Sequence, residues 1–484
     1  MKQVSTAEEA LRCFGLSTLC VLALAGCAAT RVGPDYAGPV ATQAQAAPPS
    51  AWQAPLPHGG DAQDLARWWR QFDDPLLDTL IAAAQRESAT VAQAAARIEQ
   101  ARAEAVAAGS SAWPSLDLSA QASRGTINIG TNILLANQAR ATAQASWEID
   151  LFGRVARARE AADARVVARA ADWHEARVSV AAEVANAWVE YRHCERLLQF
   201  AERDAASRTQ TASATQTAAD AGLQAPANAA LARAGAAESR SRLIAQRADC
   251  ERSIKALVAL TAVPEETLRA QLTAGTARLP TPPRFALQSV PAELLRQRPD
   301  LAAAERAVAA ASADIGRAEA ERYPALSLTG SIGPLRLETG AGSATLSTWS
   351  IGPALSVPIF DAGRRRAQAE AARAVYLAAE ADYRARARQA VREVEEALLR
   401  LASATEREAD ARTAALGYQH NLEAMQVRWR GGLADLLELE ESRRLSLNAD
   451  STYAAVQRDQ VSAWIALYRA LGGGWTASNQ DLPR

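Results

Sequence analysis

Cysteine and histidine are the side chains here that could carry redox, metal or nucleophilic chemistry. The cysteines are Cys13, Cys20, Cys27, Cys194 and Cys250; the histidines are His58, His174, His193 and His420. They do not group into CxxC or HExxH, and no Walker-type glycine loop occurs. Metal and phosphoryl chemistry therefore have no foothold. No nucleophile motif is present, and the acidic residues are spread along helices, so nothing supports an enzyme. No metal site or cofactor is expected. One cysteine stands in a motif. Residues 16–26 form an apolar stretch of signal-peptide length, too short for a permanent membrane helix. It leads into Leu24-Ala25-Gly26-Cys27, which is similar to a bacterial lipobox. The expectation is a signal peptide over 1–26 and a lipidated Cys27 at the mature N-terminus. The lipid would be the only attached group. Ala28 follows, not the aspartate that retains lipoproteins at the inner membrane, which points to the outer one.

The rest of the sequence must explain what such an anchor holds. The chain has 484 residues, a net charge of −1, 49% hydrophobic residues and only 5% aromatics. Much of the apolar content is alanine, which suits long helices in close contact. Near-zero net charge gives no reason to expect nucleic acid as a partner.

The sequence repeats itself without gaps. Trp113-Pro114-Ser115-Leu116 returns as Tyr323-Pro324-Ala325-Leu326, and Gly153 as Gly363. The offset is 210, and it also maps Glu160 to Glu370, Glu183 to Glu393 and Gly222 to Gly432. The fold is therefore two copies of one unit.

Each copy carries two alternating segments. Leu116, Leu118, Ala120 and Ala122 alternate with Ser115, Asp117, Ser119 and Gln121; Ala141 through Ile149 does the same. Leu326, Leu328 and Ile332, then Trp349, Ile351, Leu355, Val357 and Ile359, repeat the pattern. Period-two alternation over about 10 residues fits a membrane-spanning strand. Gly-, Asn-, Thr- and Ser-rich stretches near 124–138 and 333–347 read as the joining loops, giving hairpins at about 113–151 and 323–359. A half-buried sheet in a soluble sandwich would alternate too. Against it, the hairpins are separated by a long, mainly helical stretch from 152 to 322, and Trp113, Trp147, Phe152, Tyr323 and Phe360 cluster at the strand ends as an interfacial belt would. Four strands cannot close a barrel, and open edges cannot face lipid. Several chains must pool their strands.

Between the hairpins, Arg154–Ala221 has neither proline nor glycine, and Arg364–Arg430 has only Gly417. Roughly 68 helical residues reach on the order of 100 Å. Gly222 and Gly431-Gly432 end these runs, and return helices follow at about 226–260 and 434–471. Cys194 and Cys250 each lie 28 residues from Gly222. In an antiparallel helical hairpin they stand at equal height, which predicts a disulfide pinning that hairpin; the alternative is two small buried thiols.

These residues together resemble the TolC-type outer membrane factors, in the lipidated branch that includes OprM and the NodT-like proteins. The carriers are Val32-Gly33-Pro34-Asp35-Tyr36, Trp68-Trp69, Asp74-Pro75-Leu76-Leu77, Trp147 through Arg154, Arg298-Pro299-Asp300-Leu301 and Pro358 through Arg364. The resemblance implies an α+β membrane protein. A homotrimer would form a 12-stranded β-barrel in the outer membrane, from four strands per chain, over a long α-helical barrel in the periplasm. It implies a passive exit duct in a tripartite efflux system, docked on a periplasmic adaptor and an inner-membrane pump, commonly of the resistance-nodulation-division class. The division would be a lipidated segment 27–75, a first repeat 76–261, a linker 262–300, a second repeat 301–471 and a tail 472–484. The turns at Gly222, Gly431 and Gly432 would meet the adaptor. Such channels carry a leucine, an acidic residue and an arginine at this tip, matched here by Leu437, Glu441 and Arg444; glutamate stands where aspartate is usual. Glu438, Glu440, Glu441, Arg443 and Arg444 would equally make an ordinary solvated helix face. The alternative to a channel is a coiled-coil scaffold lipoprotein, which leaves the two hairpins unexplained.

Overall fold

A computed structural model describes residues 31–38, 52–54, 69, 72, 74–129, 132–274, 279, 297–340 and 342–475. Cys27, the expected signal peptide over 1–26 and the tail beyond 475 lie outside the described residues. The elements run α1 (Pro75–Glu87), α2 (Ala89–Ser110), β1 (Ser115–Ile129), β2 (Asn132–Ile149), α3 (Arg154–Asp220), α4 (Pro226–Thr261) and α5 (Glu265–Ala274). Then come α6 (Pro299–Ala320), β3 (Ala325–Thr339), β4 (Gly342–Ser356), α7 (Arg364–Arg430) and α8 (Leu436–Ala470). No described helix is long and apolar enough to cross a membrane.

The repeat holds residue for residue. α2 and α6, β1 and β3, and α3 and α7 begin and end exactly one 210-residue offset apart. The turn glycines match as well, with φ of +81° at Gly153 and +85° at Gly363, a left-handed conformation that side chains resist. The strands form one antiparallel sheet in the order β1-β2-β3-β4. Ser115 pairs with Ser146 and, one repeat later, Ala325 pairs with Ser356, so the two hairpins share their register.

The strands are longer than the alternation alone suggested. The stretches read as loops at 124–138 and 333–347 are mostly ladder: Gly125 pairs with Ala136, and Leu335 with Leu346. Outside a hydrophobic layer, backbone pairing is enough to hold a strand, so polar composition there does not mark a loop. Gly333 is required by packing. A Cβ at this position would stand 1.9 Å from the Ala141 carbonyl oxygen.

Contacts divide the chain into two compact units. The first comprises the described residues of 1–40, 97–169 and 303–383, and holds the sheet. The second comprises those of 41–96, 170–302 and 384–484, and holds the main core. That core gathers Leu77 and Leu80 of α1, Trp188 of α3, Leu257 of α4, Leu268 of α5 and Trp464 of α8. Ala181, Ala185 and Trp188 repeat on one face of α3 at helical spacing, which buries a long stripe without bulk. Asp74 caps α1 by accepting from the Leu76 N–H at 2.9 Å. Arg298, just before α6, donates to Asp300, to Glu393 of α7 at 2.8 Å and to the Ala470 carbonyl that ends α8 at 2.8 Å. A cation there complements the helix C-terminus.

Candidate functional site: sheet edges, strap and helical tips

The sheet has two unlike faces. Register places Leu118, Ala143, Ile332 and Trp349 in one row across all four strands. Leu118 is 80% exposed and Trp349 73%. The opposite face carries Asp117, Gln144, Ser331 and Ser350. An exposed apolar face of this size, backed by a polar one, is the pattern of a barrel wall with lipid outside and water inside. Among the described residues β1 and β4 are both edges, with no strand beyond them. At the helix end of the sheet, Phe152 stacks on Tyr323 at 4.8 Å between ring centres, and Trp147 donates to the Ala112 carbonyl at 2.9 Å. The aromatic cluster read from sequence thus sits where strands give way to helices.

A strap lies against that junction. The Val32 N–H donates to the Phe152 carbonyl at 3.2 Å. Gly33, at φ +91°, packs so closely that a Cβ would come 2.4 Å from the Gly316 Cα. Arg157, only 1% exposed, donates to the carbonyls of Val32 and Gly33 at 3.3 Å, to Asp35 at 2.6 Å and to Glu160 at 2.9 Å. Tyr36 reaches Glu305 at 3.4 Å. The sequence offered Val32–Tyr36 only as a family signature; its clasp, Arg157, is more than a hundred residues away and has no local pattern to announce it.

The two helical turns are twins. Gly222 and Gly432 have φ of +74° and +72°. Leu223 N–H donates to the Ala218 carbonyl and Leu433 N–H to that of Arg428, both at 2.8 Å, the double closure of a glycine-ended helix. α8 starts with a reciprocal cap between Asp435 and Glu438. Leu437, 65% exposed, shares a face with Glu441, whose carboxylate accepts from Arg444 at 2.6 and 2.9 Å. That bond holds the Glu441 carboxyl below its usual range. Glu441 and Arg444 are therefore a matched surface pair, not a lone acid.

Their neighbours turn inward. Arg443 is 4% exposed and donates to Glu440 at 2.7 Å, to the Ser207 hydroxyl at 2.9 Å and to the Thr211 hydroxyl at 2.6 Å. Glu440 also accepts from Arg208, which is held by Asp204 at 3.0 Å. The reading of this whole stretch as one solvated face does not hold. The signal was available: Leu436, Leu439, Arg443 and Ser446 fall on one buried stripe at helical spacing. Lower on the first hairpin, Cys194 and Cys250 are joined as a disulfide, with Cα atoms 5.5 Å apart. Among the described residues no cluster could hold a metal ion.

The sequence profile of the family described as outer membrane efflux protein matches residues 80–263 and 290–473. The chain belongs to that family. The two matched stretches are again 210 residues apart at both ends, so each copy of the repeat is itself a family unit. As an outer membrane efflux protein, this chain resembles the pyoverdine export outer membrane protein OpmQ of Pseudomonas putida at 30% identity, covering 90% of this chain and 93% of the relative. Nodulation protein T of Rhizobium leguminosarum bv. viciae is 27% identical over 94% and 92%. The solved outer-membrane channel OprN is 28% identical over 92% of this chain and 99% of that one, with a TM-score of 0.78. The chain is an outer-membrane channel component of an efflux system.

Proposed function

We propose that three copies assemble into one passive exit duct, their sheets joining as a 12-stranded barrel above a helical barrel. The observation that carries this is a four-stranded sheet with an oily face and two raw edges. Small barrels need at least about eight strands, and lipid tolerates no open edge. A periplasmic adaptor docks at the turns of Gly222, Gly431 and Gly432, and an inner-membrane pump of the resistance-nodulation-division class supplies the cargo and the work. Cys27 carries the lipid. The strap supports this: Cys27 is four residues before Arg31, a span of at most about 14 Å, and Arg31 rests against Gly153, between β2 and α3.

Leu437, Glu441 and Arg444 form the aperture at the tip. Three Glu441–Arg444 pairs around an axis line it with fixed dipoles. Glu441→Ala raises single-channel conductance of the purified protein in a planar bilayer; unchanged conductance removes Glu441 from the aperture. The duct itself is tested by the same recording together with native mass. Trimers that conduct are expected, and a detergent-independent monomer with no affinity for bilayers refutes the reading. Labelled palmitate enters the wild type but not Cys27→Ser; an unlabelled wild type refutes the anchor.

A further inference from the structure

The four described arginines that the fold buries each have an acid beside them. Arg157 has Asp35, Arg192 has Glu195, Arg298 has Asp300 and Arg443 has Glu440. Arg177 of α3 is half-buried, yet among the described residues it forms no ion pair. Its guanidinium lies over the Trp173 ring, 4.8 Å from the ring centre, and donates to the Gln85 side-chain oxygen at 3.4 Å. Gln85 in turn donates to the Arg177 carbonyl at 3.1 Å. The cation is thus held in place without being neutralised, and most of its N–H groups stay uncommitted.

Arg177 lines a cavity of roughly 290 Å³ among α1, α3 and the end of α8. Trp69 and Tyr468 line it as one ring pair, with centres 4.6 Å apart, and His174 and Trp475 as a second, at 6.0 Å. The chain reaches Trp475 through Gly472, Gly473 and Gly474, whose φ values are +82°, +64° and +77°. Gly473 passes so close to the other lining groups that a Cβ would stand 2.6 Å from Val178 Cγ2 and 2.9 Å from the Tyr468 hydroxyl. Only glycine accepts both that backbone and that approach. The N–H groups of Gly472, Gly473 and Trp475 donate to carbonyls at 2.9, 3.0 and 3.2 Å. The N–H of Gly474, which lines the cavity, has no acceptor among the described residues.

The lining is chemically one-sided. It offers donors and flat ring faces, and none of its described residues is acidic. Burial pushes the Tyr468 phenol up to about 12, so it too stays protonated. A sugar would need acceptors for its hydroxyl groups, and a cation would meet Arg177. A flat ring that carries an anion satisfies both halves of the lining. An apolar cavity of about 150 Å³ is enough to take benzene, so this larger one has room for fused rings and a carboxylate. We propose that the cavity binds a small planar carboxylate, an aromatic or heteroaromatic acid, with its carboxylate on Arg177 and its ring against the indoles. Because Trp173 and Gln85 already orient the guanidinium, the charge-assisted bonds form with little further ordering. The site is distinct from the tip, since Leu437 and Tyr468 stand near opposite ends of α8, roughly 45 Å apart along its axis. Its lining comes from one chain and one compact unit, so it is complete without a second copy.

Isothermal titration of the purified mature chain in detergent with naphthoate, against a blank of micelles alone, tests the site. Saturable uptake of one naphthoate per chain is expected. Uncharged naphthamide should bind about tenfold more weakly or worse, because it cannot make the charged bond. Cyclohexanecarboxylate, equally charged but not flat, should also fall by about tenfold or more, losing the stacking on the indoles. Arg177→Met should weaken naphthoate by about tenfold or more, with Arg177→Lys intermediate. Trp475→Ala should weaken it severalfold while the thermal melt stays in place. Should Arg177→Met fail to fold, naphthamide makes the same comparison on the wild-type protein. No uptake beyond the micelle blank refutes the site. Equal affinity for naphthamide, or wild-type affinity in Arg177→Met, refutes the role of the cation, and equal affinity for cyclohexanecarboxylate refutes the flat ring. The duct reading rests on conductance and native mass, so either can fail without the other.

Discussion

Replacing both Cys194 and Cys250 by serine should loosen the first helical hairpin and leave the second untouched. The two cysteines close a loop with a sequence separation of 56, joining the middle of α3 to α4. Loop-closure entropy for that length corresponds to about 4 kcal/mol, an upper figure because reduced chains retain structure. The second hairpin has Ala404 and Gln460 at the corresponding positions, and Gln460 only donates a 3.3 Å hydrogen bond to Thr405. That bond contributes about 1 kcal/mol. A chain this large does not unfold in one step, so the effect is to be read locally. Hydrogen exchange resolved by peptide is the suitable assay. In Cys194→Ser/Cys250→Ser, amides of α3 and α4 near the cross-link should exchange up to about a thousandfold faster, the rate equivalent of about 4 kcal/mol, while α7 and α8 keep wild-type rates. Two reactive thiols in denatured, unreduced wild-type mature protein would refute the reasoning outright. Equal acceleration in both hairpins would refute the claim that the cross-link acts on one.

Two further outcomes follow from buried charge. Arg157→Ala removes the clasp of the strap; Asp35 is left in solvent, so the loss is about 3 kcal/mol and not the larger penalty of a stranded buried ion. Strap opening should rise roughly a hundredfold, seen as protease cleavage between residues 31 and 38, with Arg157→Lys intermediate; wild-type resistance in Arg157→Ala would refute the role. Glu175 is pushed up to about 7, mainly by burial and then by Asp300 and Glu393, against the opposing pull of Arg298 and Arg469. A carboxyl raised in the folded state favours folding at low pH, and that advantage is lost as pH climbs from about 4.5 through 7. In Glu175→Gln, hydrogen exchange of the α3 amides around residue 175, corrected for intrinsic pH dependence, should therefore match the wild type at pH 4.5 and report local stability higher by up to about 3 kcal/mol at pH 8; a gain at low pH alone would contradict the assignment.

Much of this protein was legible before any coordinate. The 210-residue offset, the alternating strands and the unbroken helices are carried by local pattern, and Gly222 and Gly432 announce their turns because few other residues accept a left-handed backbone. The strand ends were less legible: alternation fades where Gly125 or Thr345 leaves the oily layer, although pairing continues. Contacts between distant segments were not legible at all. Arg157 with Asp35 and Arg443 with Thr211 unite residues that share no sequence neighbourhood. At the tip, charge alone could not tell Arg443 from Arg444; only the phase of Leu436 and Leu439 separates the arginine turned inward from the one left in water.

The bare flanks of the sheet also bear on the life of the newly made molecule. A solitary polypeptide leaving the export machinery presents a greasy wall and unsatisfied amides to an aqueous space rich in other unfolded chains. Its safety is a race between meeting its own kind and sticking to strangers, and that race depends on how many siblings are secreted nearby at the same moment. Low expression should then yield disproportionately few working pores, with the shortfall appearing as degraded subunits and not as half-built channels.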